Sequence, residues 1–252
     1  MSTKIIVLGS AYSIPDENHE NTHFAVVGED PLVLIDCVGT PIPRLKKAGI
    51  DIHRVTDLIL THFHPDHVSG VPSLLMDMWL MGHTHLVRIY GLAYTIDRME
   101  AMMELYGWKN WPGFFPVEFI RVPADEMTCV IDNSEMKISA SPVKHLIPTI
   151  GLRIDFKASQ KAFAYSCDTE PCQQVVMLAH QVDVLVHEAT GPFVGHSSAG
   201  QAGEIAQQAG AHELMLIHYS TRNSTNEPLI LEAQQKFSGK VGLAEDYLTL
   251  EF

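Results

Sequence analysis

"THFHPDHVSG", residues 61–70, places His62, His64, Asp66 and His67 within six consecutive positions. The run before it, "VTDLIL", is short and apolar, as a buried strand is. Pro65 lacks an N–H and would clash with the preceding turn of a helix, so the cluster reads as a loop at the end of that strand. On its extended part His62 and His64 share one side by the two-residue period. The turn at Pro65 then lets Asp66 and His67 aim at a neighbouring point. Two pairs of ligand-type side chains aimed at adjacent points suggest two metal ions.

Outward from this motif, strand-like runs recur at "KIIVLG", "THFAVVG", "PLVLIDC", "LVRIYG", "VEFIRV", "MKISASPV", "IGLRIDF", "AFAYSC", "DVLVHEA" and "ELMLIHY". Helical patterns follow Ser69, cross "TIDRMEAMMELYG", run from Ser198 through "AGQAGEIAQQAG", and cross "NEPLILEAQQKF". Strands with interleaved helices predict an α/β fold of layered sheets covered by helices. The chain has 252 residues, 46% of them apolar, and no Pro/Gly/Ser-rich linker, repeat or low-complexity tract. One domain over residues 1–252 is expected.

Composition narrows the partners. Seventeen basic against thirty acidic residues give a net charge of −13, with only "RLKK" (Arg44, Lys46, Lys47) as a small basic cluster, read as the solvated face of a short helix. A protein that grips long nucleic acid shows a basic stripe, and this one does not. No apolar run is long enough to span a bilayer, and "MSTKIIVLGS" carries no signal-peptide apolar region. Cys37, Cys129, Cys167 and Cys172 show no Cys-x-x-Cys spacing and read as reduced, mostly buried thiols, which points to a cytoplasmic location.

Three further ligand candidates end apolar runs: His145 in "SPVKH", Asp168 in "FAYSCD" and His218 in "LMLIH". With these in order after "HFHPDH", the chain resembles the metallo-β-lactamase superfamily and its H-x-H-x-D-H signature. That resemblance implies an αββα sandwich with metals at one edge of the two sheets. It also implies that His62, His64 and His145 hold one ion, that Asp66, His67 and His218 hold the other, and that Asp168 bridges. "LVHEATGPF", "GHSSAGQAGEIAQQAG", "LIDCVGT" and "YSCDT" are similar to segments of the ribonuclease Z branch, with Cys167 where a glycine is common. The interval between His145 and Asp168, where bacterial ribonuclease Z proteins carry a tRNA-gripping arm, is filled by two strand-like runs and a turn. This argues against tRNA and favours a small phosphodiester or other small ester.

Mixed imidazole and carboxylate ligands suit zinc, with manganese or iron as alternatives. Such ions generate a nucleophile from water near neutral pH and act as Lewis acids, and Asp66 could also orient the water. By the resemblance, His196 protonates the leaving oxygen and Glu188 fixes its tautomer; a structural hydrogen bond at a strand end is the competing reading. The activity expected is that of a phosphodiesterase. A lactonase, β-lactamase or carboxylic esterase on the same fold, or a true tRNA 3′-processing endonuclease, are the alternatives. "GHTH" (His83, His85) reads as loop or pocket wall. "YGWKNWPGFF", residues 106–115, reads first as core packing against the "TIDRMEAMMELYG" helix, with an apolar lid over the metals or a homodimer interface as the competing readings.

Overall fold

The structure is a computed structural model and describes residues 3–222 and 227–252. Two seven-stranded sheets form its centre. With strands numbered in chain order, the first sheet runs β14 (Thr249–Glu251), β1 (Lys4–Gly9), β2 (His23–Val27), β3 (Leu32–Ile35), β4 (Val55–Ile59), β5 (Val87–Leu92) and β6 (Val117–Val122). The second runs β13 (Lys240–Leu243), β12 (Glu213–Ile217), β11 (Val184–Glu188), β10 (Ala162–Tyr165), β9 (Thr149–Phe156), β8 (Met136–Val143) and β7 (Thr128–Asp132). Each is mixed, antiparallel over one half (β14–β3; β7–β10) and parallel over the other (β3–β6; β10–β13).

The central strands bury both faces, which is why they read as continuous apolar runs. Ile5, Val7, Val26 and Ile35 meet Ile138, Leu152, Ile154 and Val186 between the sheets. On the outer face of the first sheet, Ile6, Leu34 and Leu58 pack under α1 (Pro41–Lys47), α3 (Val71–Leu80) and α4 (Ala93–Leu105). On that of the second, Ala164, Leu185 and Leu214 pack under α5 (Gln173–Leu178), α6 (Ala199–Ala209) and α7 (Glu227–Gln234). The layers are therefore αββα, as expected. Asn226, where the sequence pattern starts its last helix, lies outside the described residues.

Local differences have local reasons. Pro65 does not hold its segment in a loop: it opens α2 (Pro65–Val68), a single turn with Pro at the first position, where its missing N–H would have had no partner. Strands β7, β13 and β14 were not legible because they are short sheet edges with little burial. Of the four thiols only Cys37 and Cys167 are buried; Cys129 is exposed and Cys172 half-buried.

The interval after His145 forms β9 and β10, paired antiparallel from Ala162 opposite Asp155. In residues 106–115, Phe115 is buried and Trp108, Trp111 and Phe114 pack partly against the outer core. Trp111 stacks on Trp79 of α3 at 5.2 Å. Tyr106, exposed, lines with Trp111 and Met76 a pocket of about 120 Å³. The aromatic side chains Trp108, Trp111, Phe114 and Phe115 thus pack onto the helix-layer core, while Tyr106, Lys109, Asn110, Pro112 and Gly113 are exposed.

Candidate metal centre

Strand ends from both sheets converge here. His62, His64, Asp66 and His67 follow β4 of the first sheet; His145, Asp168 and His218 follow β8, β10 and β12 of the second. His64 Nδ1 lies 3.0 Å from His62 Nε2 and 3.2 Å from His145 Nε2. His67 Nε2 lies 3.8 Å and His218 Nε2 4.0 Å from Asp66 Oδ2. Between these triads sits one atom. Asp168 Oδ2 is 4.0 Å from Nε2 of both His62 and His145, 3.6 Å from His67 Nε2 and 3.3 Å from His218 Nε2.

The outer hydrogen bonds decide what these rings present. The Thr61 hydroxyl donates to Asp36 Oδ2 (2.7 Å), so toward His62 Nδ1 (3.2 Å) it can only accept. His67 Nδ1–H donates to the same Asp36 oxygen at 2.8 Å. Thr22 donates its hydroxyl to the Ala11 carbonyl and accepts from His218 Nδ1–H at 3.1 Å. His145 Nδ1–H donates to the Gly195 carbonyl at 2.7 Å. In their neutral forms, four imidazoles therefore aim Nε2 lone pairs at one small volume beside two carboxylates. His67 Nε2 and Asp168 Oδ1 are buried without a hydrogen-bond partner among the described residues. Divalent cations fit this donor set, and outer-shell partners of this kind fix the rings of metal-ligating histidines.

The charges agree. Burial pushes His62 well below its ordinary value and His218 down to about 4. Burial would raise Asp168 too, but His218 and His67 beside it hold its carboxyl well below the usual range. Burial opposes a charge on His67, yet Asp168 and Asp36 overcome it and hold that imidazole well above its usual value. A proton on His67 thus occupies a place that a cation would take, and metal binding would displace it.

His196 Nδ1–H donates to Glu188 Oε1 at 3.0 Å, and its ring lies 4.9 Å from that of His145. Burial opposes charging His196, but the Glu188 carboxylate raises its pKa. Burial pushes Glu188 up in turn. Its oxygens nevertheless accept from the backbone N–H groups of Thr169 (3.0 Å), Thr190 (2.9 Å) and Ser197 (3.1 Å) as well as from His196. Only acceptor capacity is called for there, which the anion supplies.

Sequence reasoning gave no role to Asp36, Thr22, Thr61 or the Gly195 carbonyl. Asp36 was within reach, since "LIDC" ends an apolar run as the ligand-bearing runs do. His83, buried against Phe115 and stacked at 6.0 Å on His53, lies outside the cluster, as its loop reading implied. Cys167 has φ of +54°, a conformation that suits glycine, and its Sγ lies 3.6 Å from His62 Nδ1. Gly70 is required for another reason: a Cβ there would come within 2.7 Å of the Val38 carbonyl carbon.

An αββα sandwich with a three-histidine triad and an aspartate–two-histidine triad at a shared sheet edge defines a class of metal-binding proteins. The chain belongs to the metallo-β-lactamase superfamily: the β-lactamase superfamily domain matches residues 32–219. It is 29% identical to a ribonuclease Z of Thermobifida fusca over 304 aligned positions, covering 98% of this chain and 94% of that one. Those positions outnumber the 252 residues here, so the relative carries residues with no counterpart in this chain. Among solved structures, the fold matches the metallo-β-lactamase fold protein YhfI of Bacillus subtilis with a TM-score of 0.83 and 22% identity, each chain fully covered. Human tRNase Z, short form, matches with a TM-score of 0.78 and 23% identity over 98% of each chain. No helix among the described residues is long and apolar enough to cross a membrane.

Proposed function

We propose that the protein is a dinuclear metal-dependent phosphodiesterase of the ribonuclease Z type, acting on small diesters. The observation that carries the reading is the position of Asp168 Oδ2, within 4.0 Å of one nitrogen from each of His62, His145, His67 and His218. A carboxylate oxygen facing both triads would let Asp168 serve ions held in either of them. His62, His64 and His145 would hold one ion, Asp66, His67 and His218 the other, with zinc proposed for both. Bound there, the ions supply Lewis acidity toward phosphoryl oxygens and bring the pKa of water toward neutrality.

The chain's own groups do the rest. Asp66, half-buried at the rim, can accept a hydrogen bond from the attacking water and orient it. Glu188 holds His196 with Nδ1 protonated and favours the imidazolium, so that Nε2–H can be given to the leaving oxygen. A small diester is favoured over tRNA because β9 and β10 occupy the interval in which an arm would be inserted.

A panel of p-nitrophenyl phosphodiesters, lactones, cephalosporins and a precursor tRNA, run with metal analysis, tests the reading. Diester hydrolysis at about two metal equivalents per chain is expected. Preference for lactones or cephalosporins, discrete 3′ cleavage of the precursor at comparable efficiency, or a reproducible single equivalent would overturn it. His196→Ala should slow an alkyl leaving group by roughly a hundredfold and p-nitrophenolate far less. Equal losses on both would remove the proton-donor role.

A further inference from the structure

The rim beside His196 is apolar in a way that packing does not explain. Leu146, Phe193 and Val194 are 60%, 64% and 75% exposed. Phe193 and Val194 share with His196 the lining of a pocket of about 270 Å³. Leu146 lies beside the same loop, since a Cβ on Gly195 would lie 3.0 Å from its Cγ.

The loop that presents them is tied down. Gly191 N–H donates to the Ser197 carbonyl (2.9 Å), His196 N–H to the Phe193 carbonyl (3.0 Å), and Gly195 N–H to Glu170 Oε1 (3.0 Å). Glu170 is itself paired with Lys144, so that cation is engaged at the edge of the shelf. A loop whose backbone is already pinned loses less freedom when a ligand settles on it, which lowers the entropy cost of binding one. The pocket on the Asp66 side differs. It measures about 390 Å³ and is lined by Ser13, Asn21 and Ser69 besides Pro65 and Asp66. Both pockets mix polar and apolar groups, with Glu170 and Gln201 lining the one beside His196; what sets that side apart is the exposed hydrocarbon and aromatic face of Leu146, Phe193 and Val194.

We infer that the Leu146–Phe193–Val194 shelf receives an aromatic leaving group, and that Phe193 sets the preference by stacking on it. This rests on the phosphodiesterase reading, because the role of His196 as donor places the leaving oxygen beside the shelf. A flat apolar ring covers Phe193 and Val194 and needs no cation, whereas a polyanionic strand would find Lys144 already paired.

Phenyl phosphate and methyl phosphate, titrated calorimetrically into the metal-loaded protein, test it. The wild type should bind phenyl phosphate about tenfold more tightly than methyl phosphate. In a Phe193→Ser, Val194→Ser double variant the ratio should fall to about one through loss of phenyl phosphate affinity alone. Phe193→Trp should keep the preference, which separates stacking from disturbance of the loop. A wild-type ratio near one, or a preference that survives the double variant, overturns the shelf. If diesters in the panel are still hydrolysed, the phosphodiesterase reading survives that failure. If no diester is hydrolysed by the wild type, both fall.

Discussion

Replacing Asp36 by Asn should alter two imidazoles through one atom. Asp36 is buried, accepts from Thr61 N–H at 2.8 Å through Oδ1, and accepts through Oδ2 from the Thr61 hydroxyl (2.7 Å) and His67 Nδ1–H (2.8 Å). Asn fits the site, since its φ of +60° is a conformation that Asn tolerates. If the amide oxygen keeps the bond to Thr61 N–H, the amide nitrogen faces His67 Nδ1, donor against donor. His67 then prefers the other tautomer and turns an Nε2–H toward Asp168. The Thr61 hydroxyl loses its acceptor and is free to donate to His62 Nδ1, which inverts that ring as well. A hydrogen bond to a charged group is worth about 2 kcal/mol and a neutral one about 1 kcal/mol. With tenfold per 1.4 kcal/mol, the ion at His67 should bind about thirtyfold more weakly and the ion at His62 about fivefold. Competition with a chromophoric chelator reads both constants, and long-range nitrogen–proton spectra of labelled histidines read the tautomers. Two ions held at wild-type affinity, with Nδ1–H retained on both rings, would refute the reasoning.

His187, buried and pushed down to about 4 from an ordinary 6.5, takes up a proton at lower pH in the folded chain than in the unfolded one. Stability should be full above pH 6.5, fall as pH drops toward 4, and lose no more from this group below that. The loss amounts to about 3 kcal/mol at most. His187→Leu should flatten the slope of Tm in that window, and an unchanged slope would assign acid sensitivity elsewhere. Gly70→Ala would press a Cβ to within 2.7 Å of the Val38 backbone, beside the hydrogen bond from Gly70 N–H to the Cys37 carbonyl. A loss of about 1–3 kcal/mol in denaturant unfolding is expected, together with lower metal content. Unchanged stability would mean that the Val38 segment gives way freely.

What the sequence disclosed was what it encodes locally. His62, His64, Asp66 and His67 stand side by side in the chain, and the runs ending at His145, Asp168 and His218 announce their strands by apolar content. Apart from Thr61, which adjoins His62 in the chain, the partners that orient those rings are set by the fold. Asp36 is 31 positions from His67, the Gly195 carbonyl 50 from His145 and Thr22 196 from His218, separations at which no periodicity speaks. Thr22 is also an ordinary residue type whose part depends on one hydroxyl bond to Ala11. Short edge strands such as β14 owe their conformation to a neighbour, here β1, more than to their own residues.

The division of the candidate ligands between the sheets bears on how the molecule is made. Each triad takes two side chains from the segment after β4 and one from the far sheet, and the shared carboxylate also comes from the far sheet. Neither half of the chain can assemble a complete site alone. A cation therefore cannot template the early chain emerging from synthesis; it can enter only after the sheets have closed on one another. An ion held there would tie the two sheets together, so stripping it should lower the stability of the whole sandwich and not of one sheet alone.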